Sequence, residues 1–303
     1  MTAKIIDGKK ISSEVRAEAA ARVQALVGLG VTPGLSFVLV GDDPASKIYV
    51  GQKQKASAEV GIRSDRVDLP ADVSQEALQA EIARLNSDPE VHGYLVQLPL
   101  PPHIDVLAIH QAMAPEKDVD GLTPVSVGRL VRGEALFEPC TPRGIVELLV
   151  RSRIVIEHAE VVIVGRGALV GMPLSIMLSR KAPRANATVT LCHTGTRDLT
   201  VHTRRAEILV AAAGRPDTIT ADMVMPGATV IDVAVNRTDE GKLVGDVNFD
   251  QVSKVAGAIT PVPGGVGPMT VAMLMSNAVT AAERAAARAE SVAGVPRGHP
   301  GAG

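Results

Sequence analysis

Short apolar runs alternate with longer stretches whose apolar positions recur every three or four residues, and the alternation holds over nearly the whole chain. Runs of that length bounded by Gly or Pro predict buried strands, and the longer period predicts helices packed on them; regular alternation of the two is the pattern of an α/β fold. In the first half, strands are expected at Ser36–Val40, Arg63–Leu69 and Tyr94–Leu98, with helices at Ile11–Leu29, Ala45–Val60 and Ser74–Asn86. Ser74 is a candidate N-cap, and Gly30 a stop for the first helix. In the second half, strands are expected at Glu160–Val164, Thr188–Cys192, Ile208–Ala212, Thr229–Asp232 and Ala258–Thr260.

Pro139-Cys140-Thr141-Pro142 separates the two sets and leads into a helix expected at Arg143–Val150. With 303 residues available, two domains are the natural division. The expectation is a three-layer α/β catalytic domain over 1–138, and a Rossmann-type nucleotide-binding domain over 139–268 with the substrate cleft between them. A last helix over 269–288 would pack back onto the first domain. The Gly, Pro and Ala-rich stretch 290–303 is expected to be a disordered tail.

Composition narrows the function classes. Hydrophobic residues make up 46% but aromatics only 2%, with no Trp, so Ala, Val, Leu and Ile must fill the cores, as helices on a buried parallel sheet would have them do. A net charge of -2 without a Lys/Arg block argues against nucleic acid as a partner. The N-terminus carries no basic start followed by an apolar run, and no apolar stretch reaches membrane-spanning length, so a cytoplasmic protein without membrane attachment is expected. The two cysteines, Cys140 and Cys192, lack metal-binding spacing; no metal is expected.

Val161-Val162-Ile163-Val164 runs into Gly165-Arg166-Gly167-Ala168-Leu169-Val170-Gly171. A buried strand, a glycine-punctuated turn and a following helix are the context a dinucleotide fingerprint requires, although the spacing is one residue longer than the commonest form. Glycine turns also serve plain strand-to-helix packing. The next strand ends Cys192-His193-Thr194, without the carboxylate that would bind an NAD ribose. Arg166, with His193 and Thr194, can instead face a 2′-phosphate, which favours NADP; the competing view makes Arg166 a solvated loop residue and His193 a polar strand end.

Ser46, Tyr49 and Lys53 fall at i, i+3 and i+7 of the helix expected at 45–60, and so on one face. Lys53 could move protons if partly desolvated, and Tyr49 could stack on a flat ring. Spacing alone equally describes an ordinary amphipathic helix with Lys53 and Lys55 in solvent. Gln97 ends an apolar strand within Val96-Gln97-Leu98-Pro99-Leu100-Pro101, where open α/β sheets place ligands. Lys117-Asp118-Val119-Asp120-Gly121 offers two carboxylates suited either to capping a turn or to binding a heterocycle with donor nitrogens.

The Ser-x-x-Tyr-x-x-x-Lys-x-Lys helix, the Gln-Leu-Pro-Leu-Pro strand end, Lys-Asp-Val-Asp-Gly, Pro-Cys-Thr-Pro-Arg-Gly and Pro263 to Thr270 (Pro-Gly-Gly-Val-Gly-Pro-Met-Thr) occur in this order. From about Ile5 to about Ala282 the chain thereby resembles the bifunctional methylenetetrahydrofolate dehydrogenase/cyclohydrolase family. The resemblance implies that Lys53 is the main catalytic residue, that Tyr49 packs along the folate, that Gln97 supports Lys53 and the reacting carbons, and that Asp120 binds the pterin. It also implies that Ser46, Pro263, Gly264 and Gly265 lie near substrate, and that Gly165, Arg166, Gly167, His193, Thr194 and Val235 lie near NADP. It departs from many relatives at Gly167 and Thr194, where Ser is common; Thr194 keeps a hydroxyl and Gly167 does not.

The activity implied is oxidation of 5,10-methylenetetrahydrofolate to the methenyl cation with NADP, then hydrolysis to 10-formyltetrahydrofolate, within one-carbon metabolism and purine biosynthesis. A homodimer is implied as well. Two rivals are a dehydrogenase acting on another small substrate and a non-catalytic nucleotide-binding regulator; the motifs of the first half argue against both.

Overall fold

The computed structural model describes residues 2–238 and 240–293. Eleven strands and ten α-helices follow in chain order: β1 Lys4–Ile5, α1 Gly8–Gly28, β2 Gly34–Val40, α2 Pro44–Val60, β3 Arg63–Leu69, α3 Gln75–Ser87, β4 Gly93–Val96, α4 Val106–Ala112, α5 Pro124–Arg132 and α6 Cys140–Arg151. The second half continues with β5 Glu160–Val164, α7 Gly171–Ser179, β6 Thr188–Cys192, α8 Leu199–Thr203, β7 Ile208–Ala211, β8 Thr229–Asp232, β9 Asn236–Arg237, β10 Leu243–Val244, α9 Phe249–Val252, β11 Ala258–Ile259 and α10 Val266–Ala293.

The strands form a parallel three-stranded sheet in the order β3-β2-β4 and a parallel six-stranded sheet in the order β1-β11-β8-β7-β5-β6, with a small antiparallel ribbon β10-β9. The eight strands expected from the apolar runs all form, within two residues of their expected ends. Strands β2, β4, β7 and β8 are buried at every position, which mainly apolar runs satisfy, whereas the polar β3 is largely exposed and forms by pairing along β2.

The first strand is one that periodicity could not reveal. Lys4 and Ile5 pair with Ala258 and Ile259, so the head of the chain extends the edge of the second sheet before entering α1. Helix α1 opens on Asp7, whose side chain accepts from Lys10 N, and Gly30 takes a left-handed φ of 79° just past its end. Ser74 caps α3 by accepting from Ala77 N.

Helix α6 begins at Cys140, three residues earlier than the sequence pattern suggests, because Pro139 and Pro142 both fit the first turn of a helix where no donor is needed. Helix α10 also starts three residues early and runs to Ala293, past the start of the stretch expected to be disordered; residues 294–303 of that stretch lie outside the described residues. It packs along α1 and α6 and against α2. Arg22 on α1 grips it through Glu283 and Thr280. One apolar core consequently runs from Leu35, Phe37 and Leu39 on the first sheet, through α1, α6 and α10, to Val161, Ile163 and Ile231 on the second.

Candidate active site

Helix α2 carries Ser46, Tyr49 and Lys53 on one face. Asp43 starts the helix by accepting from Ser46 N at 2.7 Å, which buries Ser46 in the first turn; Tyr49 stays about half exposed. Lys53, one turn further on, is half-buried, whereas Lys55 is exposed.

Strand β4 delivers the partner of Lys53. Gln97 N still bonds Val38 O at 2.8 Å, so Gln97 remains on the ladder although the strand proper ends at Val96. Its amide nitrogen donates to Leu98 O at 2.7 Å, which turns the amide oxygen toward Lys53, and Lys53 Nζ donates to it at 2.9 Å. The peptide between Leu98 and Pro99 is cis.

The segment Lys117–Asp120 runs beside β4, with Tyr94 N bonded to Lys117 O. Gly93 allows this approach, since a Cβ there would lie 2.3 Å from a Val119 methyl. The two carboxylates of this segment separate in function. Buried Asp118 accepts from the backbone N–H groups of Gly121, Leu122 and Thr123 and closes the turn. Asp120 bears on Lys53: burial pulls the Lys53 ammonium below the ordinary lysine value, while the charge of Asp120 opposes that shift.

Cys140 and Asn277 belong to this cluster and were not singled out by the sequence. Cys140 is fully buried, and burial together with Asp120 pushes its thiol well above the usual range, so it is neutral. Asn277, from α10, donates to Val119 O at 2.8 Å and Glu138 O at 3.1 Å and accepts from Arg143, pinning the Asp120 segment to the start of α6. The signal for Cys140 was its place within Pro-Cys-Thr-Pro; Asn277 sits in an apolar helix and gave none.

The second group lies at the C-terminal edge of the six-stranded sheet, where open α/β sheets bind ligands. Gly165 ends β5 at φ 124°, and a Cβ there would lie 2.0 Å from Ala212 O; a Cβ on Gly171 would lie 1.8 Å from Gly165 O. These two glycines are demanded by backbone packing, and their closeness brings the first turn of α7 against the strand end. Gly167 lies between them with open space around it. An exposed backbone at a strand–glycine–helix junction fits a pyrophosphate, so the residues present fit a dinucleotide.

At the end of β6, His193 N donates to Thr196 Oγ1 at 2.9 Å, and His193 Nδ1 accepts from Gly195 N at 3.0 Å, leaving Nε2 of the neutral ring as a donor. Arg166 and Thr194 are exposed, and so is Val235, just before β9. No hydrogen bond joins Arg166, His193 and Thr194 to one another among the described residues.

The loop Pro261–Gly265 leaves the same edge of the sheet and leads into α10, which reaches α2 through Met275 and Ser57. Gly264 has φ 112°, and Lys9 N donates to its carbonyl at 3.1 Å; a Cβ on Gly8 would lie 1.8 Å from Gly265 O. Pro263 follows a second cis peptide. These glycines hold the loop against the start of α1, so a structural demand accounts for them before any ligand does.

Among the described residues no group of three or more His, Cys, Asp or Glu could hold a metal, and no helix is long and apolar enough to cross a membrane.

Family models for the tetrahydrofolate dehydrogenase/cyclohydrolase catalytic domain and for its NAD(P)-binding domain match residues 6–120 and 139–286. The bifunctional protein FolD of Burkholderia thailandensis is 53% identical over 289 residues, covering 95% of this chain and all of the relative. The crystal structure of the bifunctional FolD methylenetetrahydrofolate dehydrogenase/cyclohydrolase from Campylobacter jejuni superposes with a TM-score of 0.90 at 45% identity, covering 93% of this chain and 99% of that one. The Trypanosoma brucei methylenetetrahydrofolate dehydrogenase-cyclohydrolase, solved with NADP and an inhibitor, gives 0.89 at 41% identity, covering 94% and 99%.

Proposed function

The chain belongs to the tetrahydrofolate dehydrogenase/cyclohydrolase family, and from that premise we propose how its residues divide the work. It is an NADP-dependent methylenetetrahydrofolate dehydrogenase that also carries methenyltetrahydrofolate cyclohydrolase activity. The observation that carries the assignment of residues is the Lys53 Nζ to Gln97 Oε1 bond of 2.9 Å beside Asp120.

When bound, NADP supplies the acceptor for the hydride that leaves the bridging methylene of the folate. For that step the chain orients and excludes water. Tyr49 lies along the substrate, and Asp120 accepts from the donor nitrogens of the pterin. The loop Pro263-Gly264-Gly265 closes the cleft from the nucleotide side, with Ser46 at the base of α2. On the cofactor side, Gly165, whose N–H is spent on Cys192 O, makes the turn that lets the pyrophosphate approach, the backbone N–H groups of Arg166 and Gly167 meet it, Arg166, His193 and Thr194 read the 2′-phosphate, and Val235 lies along the nicotinamide.

Lys53 acts in the hydrolytic step. Water adds to the methenyl carbon, and the Lys53 amine takes its proton, a role its lowered basicity suits. The hydroxyl on that carbon then gives up its proton to become the formyl C=O as the carbon–N5 bond breaks and N5 takes up a proton, releasing 10-formyltetrahydrofolate. Gln97 holds the amine in place by accepting its N–H.

The division of the chain follows the same reading. Residues 1–138 with the last helix form the folate-binding part, and 139–268 the nucleotide-binding part, with β1 lent to the second sheet. A cytoplasmic homodimer feeding one-carbon units to purine biosynthesis completes the proposal, with no part for nucleic acid or membrane.

The test follows methylenetetrahydrofolate with NADP or NAD, recording both formation and hydrolysis of the methenyl intermediate. Lys53→Met should abolish hydrolysis and leave NADP binding intact; near-normal hydrolysis in that variant would sink the assignment. Arg166→Ala should raise KM for NADP far more than for NAD. Equal rises would remove Arg166 from the 2′-phosphate site.

A further inference from the structure

Four donors converge on one buried carboxylate at the cofactor edge of the second sheet. Asp246 Oδ2 accepts from Ala213 N at 2.6 Å and Gly214 N at 2.9 Å, and Oδ1 accepts from Arg215 N at 2.7 Å and Asn236 Nδ2 at 2.9 Å. Asp246 is wholly buried. Its own N–H donates to Asp232 Oδ1 at 2.9 Å, while Val247 N donates to Asp232 Oδ2 at 3.1 Å and Asp232 N to Thr260 Oγ1 at 2.7 Å. The network thus ties together the ends of β7, β8 and β11. Gly245 is required for it, since a Cβ there would lie 1.8 Å from Asp232 Oδ2.

The turn that Asp246 holds is the wall of the glycine turn. A Cβ on Gly165 would lie 2.0 Å from Ala212 O and 3.3 Å from Ala213 N, so any shift of Ala213–Arg215 displaces the surface against which β5 ends. Asn236, the fourth donor, immediately follows Val235, which stands exposed on the same edge. A carboxylate is the only side chain that accepts from three successive backbone N–H groups and a fourth donor at once; an amide has a single acceptor oxygen and turns an N–H toward its neighbours.

We propose that Asp246 is a positioning residue for the dehydrogenase step: by fixing Ala213–Arg215 and, through Asn236, the Val235 segment, it sets the nucleotide side of the cleft without touching substrate. The inference rests on the cofactor reading above. Asp246 belongs to the second sheet and its loops, whereas Lys53, Gln97 and Asp120 are held by α2, by β4 and by the segment beside β4, so the two activities should separate when it is changed.

The experiment uses Asp246→Asn and Asn236→Ala in the full-length protein. Four quantities are compared with wild type: Kd for NADPH by fluorescence titration, KM and kcat of the dehydrogenase, cyclohydrolase turnover on methenyltetrahydrofolate without NADP, and the melting temperature. Asp246→Asn should weaken NADPH binding about tenfold and lower dehydrogenase kcat, with cyclohydrolase within about twofold of wild type, the size expected for losing charge-assisted bonds. Asn236→Ala should act in the same direction by about threefold with an unchanged melt, and decides the matter if Asp246→Asn does not fold. Parallel loss of both activities, or NADPH binding unchanged in both variants, would overturn the proposal. A wild-type protein without dehydrogenase activity would instead defeat the functional reading, and the NADPH titration would still decide this one.

Discussion

Asp118 and Asp120 stand two residues apart in one turn and face opposite tasks: the Asp118 carboxylate takes three backbone N–H groups, and the Asp120 charge bears on Lys53. Replacing each by Asn should therefore separate stability from chemistry. Asp118→Asn leaves buried donors facing an amide and should cost about 2–3 kcal/mol in urea unfolding. Asp120→Asn should change stability little, but it removes a charge that holds the Lys53 proton on. The Lys53 pKa then falls further, and the limb of the cyclohydrolase pH profile that reports its deprotonation moves to lower pH. Equal destabilisation by the two variants would contradict the division.

Gln97 allows the opposite shift. A carboxylate at this position, 2.9 Å from Lys53 Nζ, would favour the ammonium, so Gln97→Glu should move the same limb to higher pH by about one to three units. The rate at neutral pH should drop by up to about tenfold for each unit of that shift, because a smaller share of the amine is then unprotonated. A pH profile unmoved by Gln97→Glu would mean that the observed limb belongs to another group.

The strands and the main helices were legible because each is encoded locally, by an apolar run or a helical period within a dozen residues. What escaped was encoded at a distance. Strand β1 has two residues and exists only because Ala258 and Ile259 are there to pair with. Lys53, Gln97 and Asp120 could be named from motifs, but that Asp118 is the turn's structural member depends on where Gly121–Thr123 present their N–H groups. Cys140 reaches Asp120 across 20 residues, and Asp246 reaches Ala213 across 33. In the Gly165–Gly171 pattern the context is legible along the chain but the division of labour is not, since only the fold separates glycines required by backbone packing from one left open.

That division is testable. Gly171→Ala forces a methyl against Gly165 O and should cost about 3 kcal/mol or more, with loss of NADPH binding. Gly167→Ser meets open space; its stability should stay within about 0.5 kcal/mol of wild type, and NADPH binding should not weaken. Thermal melts and NADPH titrations of the two variants side by side check both halves. A Gly167→Ser protein that melts as early as Gly171→Ala would show that the glycines had been sorted wrongly.

The buried pair beneath the cofactor edge makes stability depend on pH in an unusual direction. Burial, with the nearby Asp246 charge adding to it, pushes Asp232 up to about 7 against two backbone N–H groups that pull it down. The folded state therefore prefers Asp232 protonated. That preference is present in full below the ordinary value of 3.8 and is lost progressively as pH rises through about 7. Asp232→Asn carries a fixed cost for turning an amide N–H toward a backbone donor, and this cost has no pH dependence. The unfolding free energy of wild type minus that of Asp232→Asn should accordingly fall by about 1.4 kcal/mol per pH unit between pH 4 and 7 and level off above. Urea unfolding of both proteins at several pH values measures the difference directly, cancelling the contribution of titrating groups that do not interact with Asp232. A difference that stays constant over this range would place the Asp232 carboxylate in its ionised form throughout, and the backbone N–H groups of Asp246 and Val247 would then outweigh burial.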